Sequence, residues 1–128
     1  MARREQRRPT DAELEILRVL WEGGPSTVRE VHRTLEERRG TGYTTVLKLM
    51  QIMTEKGLVE RDASVRPQVY RASRSARQTQ QRLVGDLLDR VFDGSPGELV
   101  LRALSSRKTT PEERERIRRM LDDLEESP

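Results

Sequence analysis

Gly42-Tyr43-Thr44-Thr45-Val46-Leu47-Lys48-Leu49-Met50-Gln51-Ile52-Met53-Thr54-Glu55-Lys56-Gly57-Leu58-Val59-Glu60-Arg61-Asp62 reads as one helix running into one strand, with Lys56-Gly57 as the hinge. Val46, Leu49, Met50 and Met53 recur at i, i+3, i+4 and i+7, the apolar stripe of an amphipathic helix. At about 100° per residue the opposite face carries Thr44, Lys48, Gln51 and Glu55. Lys56 falls in the last turn, where a cation suits the negative end of the helix dipole, and Gly57 can take the left-handed geometry that ends a helix. Leu58-Val59 then opens a strand.

Working outward, helix starts are easy to place because Ser/Thr-x-x-Glu/Gln recurs at Thr10…Glu13, Thr27…Glu30, Ser75…Gln78, Ser95…Glu98 and Thr110…Glu113. In each, the hydroxyl can accept from the third backbone N–H while the Glu or Gln returns to the cap's own N–H. Pro96 and Pro111 sit at first helical positions, where a missing N–H is harmless. The spacing predicts a first helix from about Asp11 to Glu22 with Leu14, Leu17 and Trp21 inward, stopped by Gly23-Gly24-Pro25. A second helix spans about Val28 to Arg38 with Val28, Val31 and Leu35 inward. Leu58 to Ala63 and Gln68 to Ala72 make two short strands around the turn Ser64-Val65-Arg66-Pro67. Three helices followed by two strands is the order of a winged helix-turn-helix.

Beyond Ser73 three further apolar stripes follow. Leu83, Val84, Leu87, Leu88, Val91 and Phe92 end at Asp93-Gly94, Leu99 to Leu104 is apolar nearly all round, and Ile117, Met120, Leu121 and Leu124 mark a charged last helix. Such short helices have little to pack on within one chain, so residues 75–126 are expected to form a homodimer. The fold expected is mainly α with a small β-wing. It divides into a basic arm (1–9), a winged helix-turn-helix domain (10–73) and a helical dimerisation region (74–128).

Composition agrees with this division. The 128 residues are 33% hydrophobic and 37% charged with four aromatics, so the core is thin. Residues 1–73 hold 14 basic against 11 acidic side chains and residues 74–128 hold 11 of each, so the net +3 lies entirely in the half with the helix–strand unit. A polyanionic partner suits that half. No run of roughly 18 apolar residues suggests a membrane span, and no apolar region follows Arg3, Arg4, Arg7 and Arg8 as in a signal peptide; the lack of cysteine fits the expectation of a cytoplasmic protein. The absence of cysteine removes disulfides, thiolate catalysis and cysteine-based metal sites.

The outer face of the third helix carries the chemistry. Lys48 can reach guanine or phosphate, Gln51 can pair bidentately with adenine, and Thr44 and Thr45 can meet phosphate or a thymine methyl. Tyr43 can give its hydroxyl to a phosphate, and Arg66 at the wing tip and the arm arginines can hold the DNA backbone. The plainer alternatives are a solvated polar face and, for Arg66, a solubilising turn residue. His32, the only histidine, lacks the partners that a metal or catalytic site needs and reads as structural. The acidic Asp122, Asp123, Glu125 and Glu126 read as a solvated face. No zinc-peptidase, nucleophile-elbow or phosphate-loop motif occurs, so neither an enzyme, a cofactor nor a metal is expected. A protein–protein adaptor docking through the same helix is the competing function, with Leu47 and Ile52 as its best support.

Leu14-x-x-Leu17 with Val19-Leu20-Trp21, Tyr43-Thr44-Thr45-Val46, Glu55-Lys56-Gly57-Leu58-Val59, Val69-Tyr70 and Glu98-Leu99-Val100-Leu101 resemble the penicillinase-repressor family over about residues 8–126. The resemblance implies a dimeric transcriptional repressor on palindromic operators, often of β-lactam-resistance genes. It also implies induction by cleavage of the repressor, triggered by a membrane-bound sensor metallopeptidase. The family's scissile Asn-Phe follows a Leu-Val-Leu-like segment; the matching positions here are Arg102-Ala103, of different chemistry. The copper-responsive branch uses a C-terminal cysteine motif that this chain lacks.

Overall fold

The computed structural model describes residues 8–127. Arg3, Arg4 and Arg7 of the expected arm lie outside these residues. The chain forms two compact units, divided between Leu83 and Val84. In the first, helices α1 (Asp11–Gly23), α2 (Val28–Arg39) and α3 (Tyr43–Lys56) precede strands β1 (Val59–Asp62) and β2 (Val69–Ala72). Helix α4 (Ala76–Val91) runs across the division, and α5 (Pro96–Ser106) and α6 (Pro111–Glu126) follow. The fold is therefore mainly α with a small antiparallel wing, as the periodicities imply. Among the described residues no helix is long and apolar enough to cross a membrane.

The caps are where the sequence places them. Thr10, Thr27 and Thr110 each accept from the third N–H while Glu13, Glu30 and Glu113 return the bond. Ser75 and Gln78 do the same at 3.1 and 2.9 Å. The fifth pair closes one way only. Ser95 Oγ accepts from the Glu98 N–H at 3.2 Å, but the Ser95 N–H already donates to the Phe92 carbonyl at 2.9 Å. The chain reverses there through Asp93 and Gly94, at φ 51° and 77°, and leaves Glu98 no donor to answer.

The core of the first unit is Ile16, Leu17, Val19 and Leu20 from α1, Val28, Val31 and Leu35 from α2, Val46, Met50 and Met53 from α3, with Val59 and Tyr70 from the wing. The buried face of α1 is set one residue aside from the expected stripe. Leu14 and Trp21 pack only at its edge, and Leu49 of α3 is likewise half-buried. Trp21 keeps its indole near the surface because Nε1 donates to the Arg74 carbonyl at 2.9 Å. That bond ties the end of α1 to the chain just after the wing.

The strands pair in register Val59↔Ala72, Glu60↔Arg71, Arg61↔Tyr70 and Asp62↔Val69. Ser26 adds an isolated bridge on the other side of β2, with Ser26 N–H to Tyr70 O at 2.9 Å and Tyr70 N–H to Ser26 O at 2.8 Å. The α1–α2 connection thus lends the hairpin a one-residue third strand, too short to leave a periodic signal.

In the second unit, as along α4, no described residue is fully buried. The apolar stripes exist as helices, but they face solvent: Val91, Met120, Leu121 and Leu124 are 64%, 65%, 55% and 62% exposed.

Candidate nucleic-acid interface

Val46, Met50 and Met53 are sealed from solvent, which fixes the rotation of α3 about its axis. Thr44, Thr45, Lys48, Gln51 and Glu55 consequently stand exposed together, with Tyr43 41% exposed at the helix start. Of the two apolar residues that an adaptor surface would use, Leu47 packs against the core while Ile52 is exposed, at 36%, a single apolar side chain beside the polar face. The outer face is therefore small, polar and hydrogen-bonding, the chemistry that base edges and phosphates require.

The C-terminal end of α3 is held by two different means. Gly57 adopts φ 79° and its N–H bonds to the Met53 and Thr54 carbonyls, while the Leu58 N–H reaches Met53 O at 2.9 Å. This is the glycine stop that the sequence predicts. At the same end Lys56 does more than complement a dipole. Its Nζ lies 2.6 Å from Glu13 Oε1, with the two side chains 11% and 2% exposed. The same carboxylate oxygen accepts from the Thr10 N–H at 2.9 Å, and Lys56 Nζ also reaches the Arg8 carbonyl at 3.4 Å. A buried ion pair thereby locks the last turn of α3 to the first turn of α1. Sequence reasoning took Glu13 as a cap and Lys56 as a helix-end cation; their separation along the chain hides the pair.

The wing tip is shaped by Asp62, whose Oδ1 accepts from the Ser64 N–H at 3.0 Å and from the Ser64 hydroxyl. Those bonds, hydroxyl first, hold the Asp62 carboxyl below its ordinary range. The turn presents Val65 and Arg66 to solvent, before a cis Arg66–Pro67 peptide. Along the strands Glu60 takes two bonds from Arg71, at 2.9 and 2.6 Å. Arg61 and Arg66 stand exposed without an ion pair among the described residues. Arg61 was not singled out in the sequence; paired with Tyr70 but itself exposed near the wing's end, it adds a second cation to the wing without an ion pair among the described residues.

His32 is structural in its surroundings. Its ring packs edge-to-face on Tyr43, with centroids 5.6 Å apart and planes at 86°. Its Nε2 has no hydrogen-bond partner and lies 3.5 Å from Glu36 Oε2. Among the described residues no group of His, Asp or Glu could hold a metal ion. Arg102 and Ala103 sit exposed inside α5, away from all of these residues in sequence and in a separate unit.

Comparison with known proteins agrees with this architecture. Two curated relatives, each called transcriptional regulator BlaI and from the CDC 1551 and H37Rv strains of Mycobacterium tuberculosis, are 42% identical over 50 residues. That match covers 38% of this chain and 36% of the relatives' length, so it reaches only about a third of either. The penicillinase repressor pattern, by contrast, matches residues 9–123, nearly the whole chain. The chain belongs to the penicillinase repressor family, a family of transcriptional regulators and not a class of enzyme.

Proposed function

We propose that this protein is a dimeric, sequence-specific DNA-binding repressor of transcription. Helix α3 enters the major groove, where Lys48 and Gln51 read base edges and Tyr43, Thr44 and Thr45 meet phosphate or thymine methyl groups. Arg66 at the wing tip holds the backbone. The observation that carries the reading is the rotation of α3: three sealed side chains on one face leave Thr44, Lys48 and Gln51 together on the other. Its membership of the penicillinase repressor family supports the same conclusion.

The region 74–128 is the dimerisation region. Its helices bury no residue within the chain, yet each Leu taken from water recovers roughly 1.5–3 kcal/mol. A second copy of the same amphipathic helices is the partner that satisfies all of them at once. The operator is then a palindrome, because a two-fold protein presents two equivalent α3 helices. Repression is steric, at β-lactam-resistance or cell-wall-response genes, by a cytoplasmic protein.

Induction proceeds by proteolysis in the dimerisation region, at Arg102-Ala103 or a neighbouring bond, downstream of a membrane-bound sensor metallopeptidase. The bond lies inside α5, so hydrolysis requires local unwinding. An eleven-residue helix with no buried side chain is among the easiest elements to open. Loss of about 3–4 kcal/mol of dimerisation lowers operator occupancy several hundredfold. Sedimentation of the full chain and of a Leu121→Glu, Leu124→Glu double variant tests the assembly. The full chain should sediment as a dimer, and the variant as a folded monomer with weakened DNA binding. A variant that stays dimeric with unchanged affinity would overturn the assignment of the dimer to these helices.

A further inference from the structure

Helix α3 starts differently from the two helices packed beside it. Thr10 and Thr27 close the N-termini of α1 and α2 with reciprocal side-chain bonds, whereas the residue before α3 is Gly42, which makes no side-chain cap. A glycine cap leaves the first turn free of any side-chain tether. The contact that replaces it comes from α2: the His32 ring stands edge-to-face on Tyr43, the first residue of α3, at 5.6 Å and 86°. This is the geometry in which aromatic quadrupoles attract. His32 itself is anchored, its side chain 18% exposed beside the sealed Val31. Tyr43 remains 41% exposed.

We propose that His32 is a positioning residue for operator binding: it fixes the Tyr43 ring, and with it the first turn of α3, so that the Tyr43 hydroxyl meets a backbone phosphate. This rests on the reading of α3 as the DNA-contacting helix. The ring face and edge carry the effect, not the imidazole nitrogen. Nε2 makes no hydrogen bond, and its polar neighbour is the largely exposed Glu36 carboxylate at 3.5 Å. A phenyl ring at position 32 would keep the contact with Tyr43 and give up only that solvent-screened neighbour.

The test uses the full chain and the duplex that the wild type enriches from a randomised pool. His32→Ala should weaken binding to that duplex by about two- to twelvefold, the range an aromatic pair supplies. His32→Phe should bind as the wild type does and melt no lower. In a Tyr43→Phe background, where the hydroxyl is already absent, His32→Ala should cause a clearly smaller loss, that of the first turn alone. An equal loss in both backgrounds would assign His32 to general stability or to a DNA contact of its own and overturn the proposal. So would full affinity in His32→Ala, or a folded His32→Phe that binds as poorly as the alanine variant. If His32→Ala fails to fold, the phenylalanine variant and its Tyr43→Phe partner decide the question. Failure of the wild type to enrich any sequence would sink the operator-binding reading itself, a result separate from all of these.

Discussion

Removing Lys56 should unfold more of the molecule than any other single loss of charge. In Lys56→Met the aliphatic stem is kept and only the ammonium goes, so packing is little changed. The Glu13 carboxylate, 2% exposed, is then left with the Thr10 N–H as its remaining partner. Breaking a buried pair in this way costs about 3–5 kcal/mol, because an uncompensated charge stays inside. The lower end applies here, since Lys56 is 11% exposed and water can approach. For a folded unit of this size, about 3 kcal/mol lowers the melting temperature by roughly 12–24 °C. The reverse change, Glu13→Gln, keeps the amide acceptor for Thr10 and leaves an ammonium near the surface, so it should cost only about 1–3 kcal/mol. The double variant should lose less than the sum of the two, the signature of a direct interaction. Denaturant unfolding followed by the fluorescence of Trp21, the sole tryptophan and half-buried in the same unit, reads all three. A Lys56→Met cost below about 1 kcal/mol would mean that the pair behaves like an exposed one, and that the lock between α1 and α3 is not what holds the first unit together.

Other outcomes follow from the same geometry. Lys48→Ala should cost about 1–3 kcal/mol, concentrated at one base position of the preferred sequence, as a binding-site selection would show. Arg66→Ala should weaken all sequences alike and reduce the slope of log affinity against log salt by about 1, measured by titration at several salt concentrations. The Thr27 N–H and hydroxyl hold the Glu30 carboxyl below its ordinary range, as Ser64 does for Asp62. Both groups therefore contribute stability that is present above the usual carboxylate pKa and lost as pH falls through the lowered folded values. Asp62→Asn and Glu30→Gln should flatten the acid limb of the stability–pH curve by lowering its neutral plateau slightly, with stability at the acid extreme nearly unchanged.

Much of this was legible in the chain because local signals were redundant. The Thr and Ser caps mark helix starts independently of the apolar periods, and Gly57 marks the stop of α3 independently of both. The three sealed residues Val46, Met50 and Met53 all belong to the predicted stripe, so the outward face of α3 came with it. What stayed hidden depends on pairing across distance. Glu13 satisfies the capping pattern whether or not Lys56 reaches it, and Ser26 joins β2 through a single residue. The inward face of α1 was read only in part: Leu14, Leu17 and Trp21 all pack on the core, but Ile16 and Leu20, which fit a helical period with Leu17 equally well, are the more deeply buried. Only packing against α2 and α3 chooses between them. The Ser95 half-cap is the same lesson in miniature, since a neighbouring carbonyl took the donor first.

The central claim, a two-fold repressor reading DNA with α3, is tested most directly by selecting duplexes from a randomised pool with the full-length chain. Two copies of α3 on one dimer predict enrichment of an inverted repeat, its half-sites centred one or more helical turns apart, about 34–36 Å per turn. Enrichment of an undivided, asymmetric site, or of no sequence above the starting pool, would contradict it.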